Sequence, residues 1–366
     1  MNRLLRHALI VFAVMVLSMS SSPWMKSPNT ANAQTSERYA AVVLNSETGE
    51  LLFNRHGREK RYPASITKVM TLYMVFEGLE DGRLSLQDRV RISPRAAAQP
   101  PSKLGLPPGR TLSVHEAIQA LAVRSANDVA VALAEHMSGS VEAFGRASTA
   151  RAYELGMVQS TFVNPHGLPD PRQVSSALDL ALLSQAVMRD YPQYYHYFGQ
   201  RRWRFEGREF VNTNGLLQDG GTVDGIKTGF TRASGYNLAA SSVHDGRRLI
   251  TVVLGGRSSS SRNAHVAALM QAGFEVEARR SSQDQIQSAQ AFFESRGFGL
   301  EGASDAPIPA GPVSYLDPSR ALGWGSSSAT GAQPPVADDE GRRSEAAMTR
   351  SNPAGAQMGG AASGPF

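Results

Sequence analysis

Strand-patterned sequence at 39–54 and again across 203–254 brackets a helical middle, and this order constrains the fold more than any other feature of the chain. In the first stretch, Ala41-Val42-Val43-Leu44 and Leu51-Leu52-Phe53 flank a polar turn containing Gly49, the pattern of a β-hairpin. The middle reads as helices over 65–76, 114–123, 128–137, 141–155 and 175–189. Pro63 announces the first and Gly78 marks its end, while Ser113 and Glu116 stand at capping-box spacing before the second. Strands are expected next over 203–210, 222–228, 236–242 and 249–254, with Asp245-Gly246 turning between the last two, and then an amphipathic helix over 261–273. The expected fold class is therefore α/β: an antiparallel sheet flanked by helices, shared by both ends of the folded region, with an all-helical lobe inserted.

Ahead of the hairpin, Arg3 and Arg6 precede an apolar run over 8–19, and Ala31-Asn32-Ala33 offers a small-residue cleavage site. Residues 1–33 are read as an export signal peptide. The run is shorter than the roughly 20 residues of a membrane span, so a retained anchor is the weaker reading. Losing this leader removes Arg3, Arg6 and Lys26 and no acid, which takes the formal charge from +5 down by three to +2. A chain so nearly balanced gives no electrostatic support to a nucleic-acid partner. With no cysteine, an exported chain has no disulfide to lean on and needs an ordinary core. A folded domain over 34–275 is large enough to supply one. Residues 276–300 read as a short surface helix or linker, with Ile286, Ala289 and Phe292-Phe293 at helical spacing. Residues 301–366, rich in Gly, Ala, Ser and Pro, read as a disordered low-complexity tail, because they offer too little apolar surface to offset backbone entropy.

Ser65-Ile66-Thr67-Lys68 sets a hydroxyl and an ammonium three residues apart at a helix start, on one face and within reach of each other. A serine alone is a poor nucleophile, but a lysine in a partly dry site with its pKa lowered is a competent base for it. Taken singly, this match is outweighed by a solvated Ser and Lys on an ordinary helix. Lysine scarcity changes the weighting, since the chain has five lysines, at 26, 60, 68, 103 and 227, among 37 basic residues. Two of the five fall in motif frames: Lys68, and Lys227-Thr228-Gly229 at the end of an expected strand. Between them, Ser125-Ala126-Asn127 occupies the break between two helices.

Together the three motifs resemble the signature of β-lactamases and penicillin-binding proteins. The chain resembles low-molecular-mass penicillin-binding proteins of the D-alanyl-D-alanine carboxypeptidase family, over about 38–274. Arg124-Ser125-Ala126-Asn127-Asp128, Asn164-Pro165-His166-Gly167-Leu168, Asn212-Thr213-Asn214-Gly215-Leu216 and Asp224-Gly225-Ile226-Lys227-Thr228-Gly229-Phe230-Thr231 carry the likeness. The resemblance implies a β-lactamase/transpeptidase-like fold and removal of the terminal D-alanine from peptidoglycan stem peptides, with β-lactams as inhibitors and no cofactor or metal. It further implies that Ser65 forms the acyl-enzyme with Lys68 as base, that Ser125 relays a proton to the leaving amine, and that Asn127 holds Lys68 or the peptide amide. Lys227 and Thr228 would bind the substrate's carboxylate side, Gly229 would complete the motif, and the N–H groups of Ser65 and Phe230 would form an oxyanion hole. Arg262, opening the helix after the last strand, is the candidate second carboxylate partner, with a solvated surface arginine as the alternative. Phe230 departs from relatives that carry His there. Many relatives also end in a β-rich domain and a membrane-binding helix, neither of which is legible here, so membrane-surface association is not carried over.

Three other matches are set aside. His115-Glu116-Ala117-Ile118-Gln119 nearly spells a zinc-protease helix but has Gln where the second ligand belongs, so Glu116 is better read as a helix cap. His166, in a Gly-Pro loop, reads as structural. Arg201-Arg202-Trp203-Arg204 reads as a solvated strand edge. Two other functions compete with the carboxypeptidase. A β-lactamase would need a Glu-bearing deacylation motif between Ser125 and Lys227 that is not seen, and a silent wall-binding scaffold would not need Ser65, Lys68, Ser125 and Lys227 intact.

Overall fold

The computed structural model describes residues 37–298 apart from 219–220, 283–285 and 287. All of these belong to one compact unit, Met1–Trp324; the other unit, Gly325–Phe366, contains none of them. The expected leader and low-complexity tail lie outside the described residues.

The hairpin forms as expected, from β1 (Ala40–Asn45) and β2 (Leu51–Arg55). A single 3-10 turn, Ala64–Ile66, leads into α1 (Thr67–Glu80). The lobe then holds β3 (Arg89–Arg91), α2 (Pro94–Ala97), β4 (Thr111–Ser113), α3 (Val114–Gln119), α4 (Asn127–Ser138), α5 (Val141–Glu154) and α6 (Ala177–Asp190). A second hairpin follows, β5 (Arg202–Phe205) and β6 (Arg208–Val211). Next come β7 (Val223–Thr231), β8 (Gly235–His244), β9 (Arg247–Gly256), α7 (Ser259–Ser281) and α8 (Ala289–Ser295).

The main sheet has the order β2-β1-β9-β8-β7, so both ends of the described chain share it, as the sequence implied. Its central strands read as unbroken apolar runs because both faces are covered. Ala40, Val42 and Leu44 join the core beneath the helical lobe. Ala41 and Val43 join a second core under α7. Helix α1 is buried on nearly every side, from Thr67 through Phe76, which explains its weak amphipathicity and gives Lys68 a dry setting.

Four sequence expectations need correction. Gly78 does not end α1. It lets Leu84 pack against the helix, since a Cβ there would lie 3.0 Å from Leu84 Cδ1, and the helix runs on to Glu80. The expected strand over 203–210 is two strands, because Glu206 and Gly207 both adopt positive φ (46° and 75°) and make a tight turn. That hairpin is a sheet of its own. The helix expected over 261–273 extends to Ser281. Finally, the segment read as a surface helix or linker is docked: Phe293 is fully buried, stacks on Phe53 at 4.9 Å, and meets Phe298 edge-on at 5.9 Å. The packed unit therefore runs past 275. Phe293→Ala should lower stability by about 3–5 kcal/mol, read as an earlier urea midpoint, whereas a surface tether would leave the midpoint unmoved.

Candidate active site

Ser65 sits in the 3-10 turn that feeds α1, preceded by Ala64 at φ 48°, a left-handed conformation that is costly for a residue with a Cβ. The surroundings hold it there. Gly167, at φ 85°, presses so close that a Cβ would lie 1.8 Å from the Ala64 carbonyl oxygen. On the other side, a Cβ on Gly229 would lie 2.9 Å from both the Pro63 oxygen and the Ser65 nitrogen. Strand β7 and the loop at 164–168 thus clamp the serine's own backbone, which only glycines at these two points permit.

One turn on, Lys68 is fully buried. Its Nζ donates to Asn127 Oδ1 at 2.8 Å, to the His166 carbonyl at 2.8 Å and to Ser65 Oγ at 3.1 Å. Burial, and then the charge of Lys227, hold its pKa well below the usual lysine value, while Asp128 pulls the other way. A neutral amine has two N–H bonds and one lone pair. With Asn127 and the His166 carbonyl taking the two donors, the lone pair faces the serine hydroxyl.

The break between α3 and α4 is a π-turn, Ala120–Arg124, closed by Ser125 in the left-handed conformation (φ 61°). Such turns recur at functional sites. Ser125 is buried, and among the described residues its hydroxyl makes no hydrogen bond. Asn127 is pinned by Nδ2 to the Pro100 carbonyl (2.9 Å) and by its backbone N–H to the Ser102 carbonyl (2.8 Å). Asp128, fully buried, accepts from the N–H groups of Leu104 and Gly105 at 3.1 and 2.9 Å, which draws that loop over the break.

Strand β7 is an edge strand and carries Lys227, Thr228, Gly229 and Phe230. Lys227 is buried, among the described residues donates only to the Thr228 carbonyl at 3.3 Å, and has its pKa lowered to about 7 by burial and then by Arg262. Thr228 Oγ1 pairs with Thr213 Oγ1 at 2.7 Å. Phe230 is 51% exposed and packs on Tyr236 at a ring separation of 4.3 Å. Arg262 is not a solvated arginine: it is 4% exposed, donates to the Asn237 carbonyl at 2.6 Å, and leaves its Nε without a partner. Burial lowers its pKa to about 10. Among the described residues the hydrogen bonds of Lys227 and Arg262 go to carbonyl oxygens, and an anion reaching both would complete the arrangement.

The structure joins Ser65, Lys68 and Asn127 through hydrogen bonds, seats Gly229 on Ser65, and couples Lys227 electrostatically to both Lys68 and Arg262. It shows no hydrogen bond from Ser125 to these groups among the described residues. Sequence reasoning missed the supports. Gln173 accepts from the N–H groups of Val163 and Asn164 and donates to Thr67 Oγ1. Thr71 donates to the Pro165 carbonyl. His166 contributes its backbone oxygen, and its ring, with pKa lowered to about 3 by burial and by Lys68, accepts from Leu168 N–H and is no base. The set-aside zinc motif is occupied otherwise, with Glu116 in a capping box and His115 bonded to Tyr197. Among the described residues no three metal-ligating side chains cluster.

A family model described as D-alanyl-D-alanine carboxypeptidase matches residues 27–258. The chain is 34% identical over 284 residues to D-alanyl-D-alanine carboxypeptidase DacF of Bacillus subtilis, covering 75% of this chain and 71% of that one. It is 37% identical over 240 residues to DacA of Escherichia coli, covering 64% of this chain and 60% of DacA, so it matches well under the whole length of that relative. Penicillin-binding protein D2 from Listeria monocytogenes, solved in its cefotaxime-bound form, superposes with a TM-score of 0.60 at 30% identity, over 68% of this chain and 99% of the other.

Proposed function

The chain belongs to the D-alanyl-D-alanine carboxypeptidase family, and from that we propose that it removes the terminal D-alanine of peptidoglycan stem peptides through an acyl-enzyme on Ser65. The observation that carries the proposal is the buried Lys68, whose two fixed acceptors leave its third direction to Ser65 Oγ at 3.1 Å. As Ser65 Oγ bonds to the carbonyl carbon of the penultimate D-alanine, its proton passes to Lys68 Nζ. The negative charge on the carbonyl oxygen is met by the N–H groups of Ser65 and Phe230. Collapse breaks the C–N bond, and D-alanine leaves after its nitrogen takes a proton relayed from Lys68 through Ser125. Water then adds to the ester carbon and gives one proton to Lys68; collapse breaks the bond to Ser65 Oγ, which takes that proton from Lys68, so the acid leaves with the Ser65 hydroxyl and the neutral Lys68 restored. Asn127 holds Lys68, while Lys227, Thr228 and Arg262 receive the substrate's terminal carboxylate.

The same reading makes β-lactams acylating inhibitors and places the enzyme at the cell envelope, with residues 1–33 as its export signal. A chain purified without that leader should release D-alanine from a peptide ending in Lys-D-Ala-D-Ala, while a chromogenic cephalosporin labels Ser65 and turns over slowly. Rapid cephalosporin turnover would identify a β-lactamase instead. A folded protein that neither releases D-alanine nor takes up fluorescent penicillin would be a wall-binding scaffold.

A further inference from the structure

The loop that carries His166 also borders a cavity of about 490 Å3 that none of Ser65, Lys68, Ser125 or Lys227 lines. Helices α2, α4 and α5 supply its other sides. At about 30 Å3 per water it has room for roughly sixteen, within the size range of small-ligand sites. Val131, Val141, Phe162 and Val163 give it an apolar wall. Arg95, Arg146 and Arg172 stand there against Glu142 and Asp170, and with His166 neutral one positive charge is left over. Arg95 is spent on Glu142 through two hydrogen bonds, at 2.7 and 3.2 Å, and Arg172 on Asp170 through two at 2.8 and 3.0 Å. Arg146 is exposed and makes no hydrogen bond or close ion pair among the described residues, though its charge is felt at Glu142. The uncommitted cation is therefore Arg146.

His166 supplies a second donor. Its Nδ1 accepts from the Leu168 N–H, so in the neutral ring the proton sits on Nε2. That nitrogen makes no hydrogen bond among the described residues, yet it is not one of the side-chain atoms sealed from solvent without a partner. With the residue 7% exposed, the open side left to it is the cavity it lines. Gln99 donates its Nε2 to the Arg95 carbonyl and keeps Oε1 as an acceptor for an incoming N–H. A cation and a buried N–H suit one carboxylate, and a free amide oxygen beside an apolar wall suits the peptide unit and side chain that precede it. We propose that this cavity binds the C-terminal end of a short peptide, its carboxylate on Arg146 and His166 Nε2, and that the bound anion slows acylation of Ser65. The slowing follows from what His166 holds. Its carbonyl accepts from Lys68 at 2.8 Å, and the charges bearing on Lys68 are Lys227, which disfavours its protonation, and Asp128, which favours it, with Lys68 in turn felt at the His166 ring. A negative charge held at His166 acts in the same sense as Asp128, keeps the lysine charged and withdraws the base. The site stands apart from the carboxypeptidase reading, and only its effect on acylation rests on it.

The test titrates the protein calorimetrically with acetyl-L-Ala-L-Leu, which offers no D-Ala-D-Ala bond to the catalytic cleft, and with its C-terminal amide. The acid should bind with a Kd below about 1 mM, and the amide at least about 10-fold more weakly, since it cannot make the charge-assisted bonds. Arg146→Glu, an exposed change on α5, should weaken the acid at least about 10-fold and leave the circular dichroism spectrum as it was. In wild type, saturating acid should slow acylation by benzylpenicillin at neutral pH about 5-fold or more, the low end of coupling between sites, and in Arg146→Glu the same concentration should not. Equal binding of acid and amide, or binding unmoved by Arg146→Glu, would overturn the site. Binding that shifts as expected with no change in acylation would overturn the link to Lys68. Failure of wild type to acylate at all would fall on the Ser65 reading, and the calorimetry alone would then decide the site.

Discussion

Ser65→Ala should abolish D-alanine release and covalent penicillin labelling together, with kcat falling at least about 10⁴-fold, as removal of an acylating serine does elsewhere. The fold should not change, because the Ser65 side chain is not fully buried and makes no cap to α1, whose N-cap position is Ile66, while Gly167 and Gly229 clamp the backbone of the turn and not the hydroxyl. Circular dichroism and the urea midpoint should therefore match wild type while intact-mass analysis shows no penicilloyl adduct. An adduct persisting at another residue would locate the nucleophile elsewhere.

Lys68→Arg should be nearly as damaging, about 10²–10⁴-fold in acylation rate, although it keeps a cation with hydrogen-bond donors at the same position. A guanidinium does not give up its proton in a protein, so the serine loses its base. The pH profile separates this from mere disturbance. In wild type the lysine must be neutral to act, and burial with the neighbouring Lys227 brings deprotonation down well below the usual lysine range. Acylation should thus rise with pH along a limb that lies well below pH 10.5, its rate falling as acid protonates Lys68. The limb should vanish in the arginine variant. Stopped-flow acylation by benzylpenicillin across pH would check both, and a wild-type limb surviving in Lys68→Arg would assign it to another group.

What could be read from the sequence follows from where the chemistry is written. Ser65 and Lys68 were legible because a nucleophile and its base three residues apart share a helical face, and Lys227 because lysine is scarce in this chain. The sheet was legible because Asp245-Gly246 is a strong turn signal between two apolar runs, while Glu206-Gly207, which makes the same kind of turn, was hidden by the less usual glutamate at positive φ. The His166 contribution was illegible in principle, since a backbone carbonyl has no residue code. Gln173 and Asp128 were illegible for a related reason: both accept from backbone N–H groups, at Val163 and Asn164 and at Leu104 and Gly105, which have no residue code either. The three-residue strands β3 and β4 are too short to show a period. Phe292-Phe293 revealed its helical spacing but not its destination, because Phe53 lies far away in the sequence.

The pairing of β1 with β9, with Ala40 opposite Leu254 and Asn45 opposite Leu249, carries a consequence for how the molecule comes into being. Closing a loop of that length precedes any reward from the contacts it creates, which makes such topologies slow folders. Strand β7, which completes the surroundings of Ser65, is held to β1 only through β8 and β9. Until the chain has been made beyond Gly256, therefore, the serine and its base are present but the wall that turns them into an acylating pair is not. Reactivity is therefore expected to belong to the finished sheet and not to the serine's helix alone.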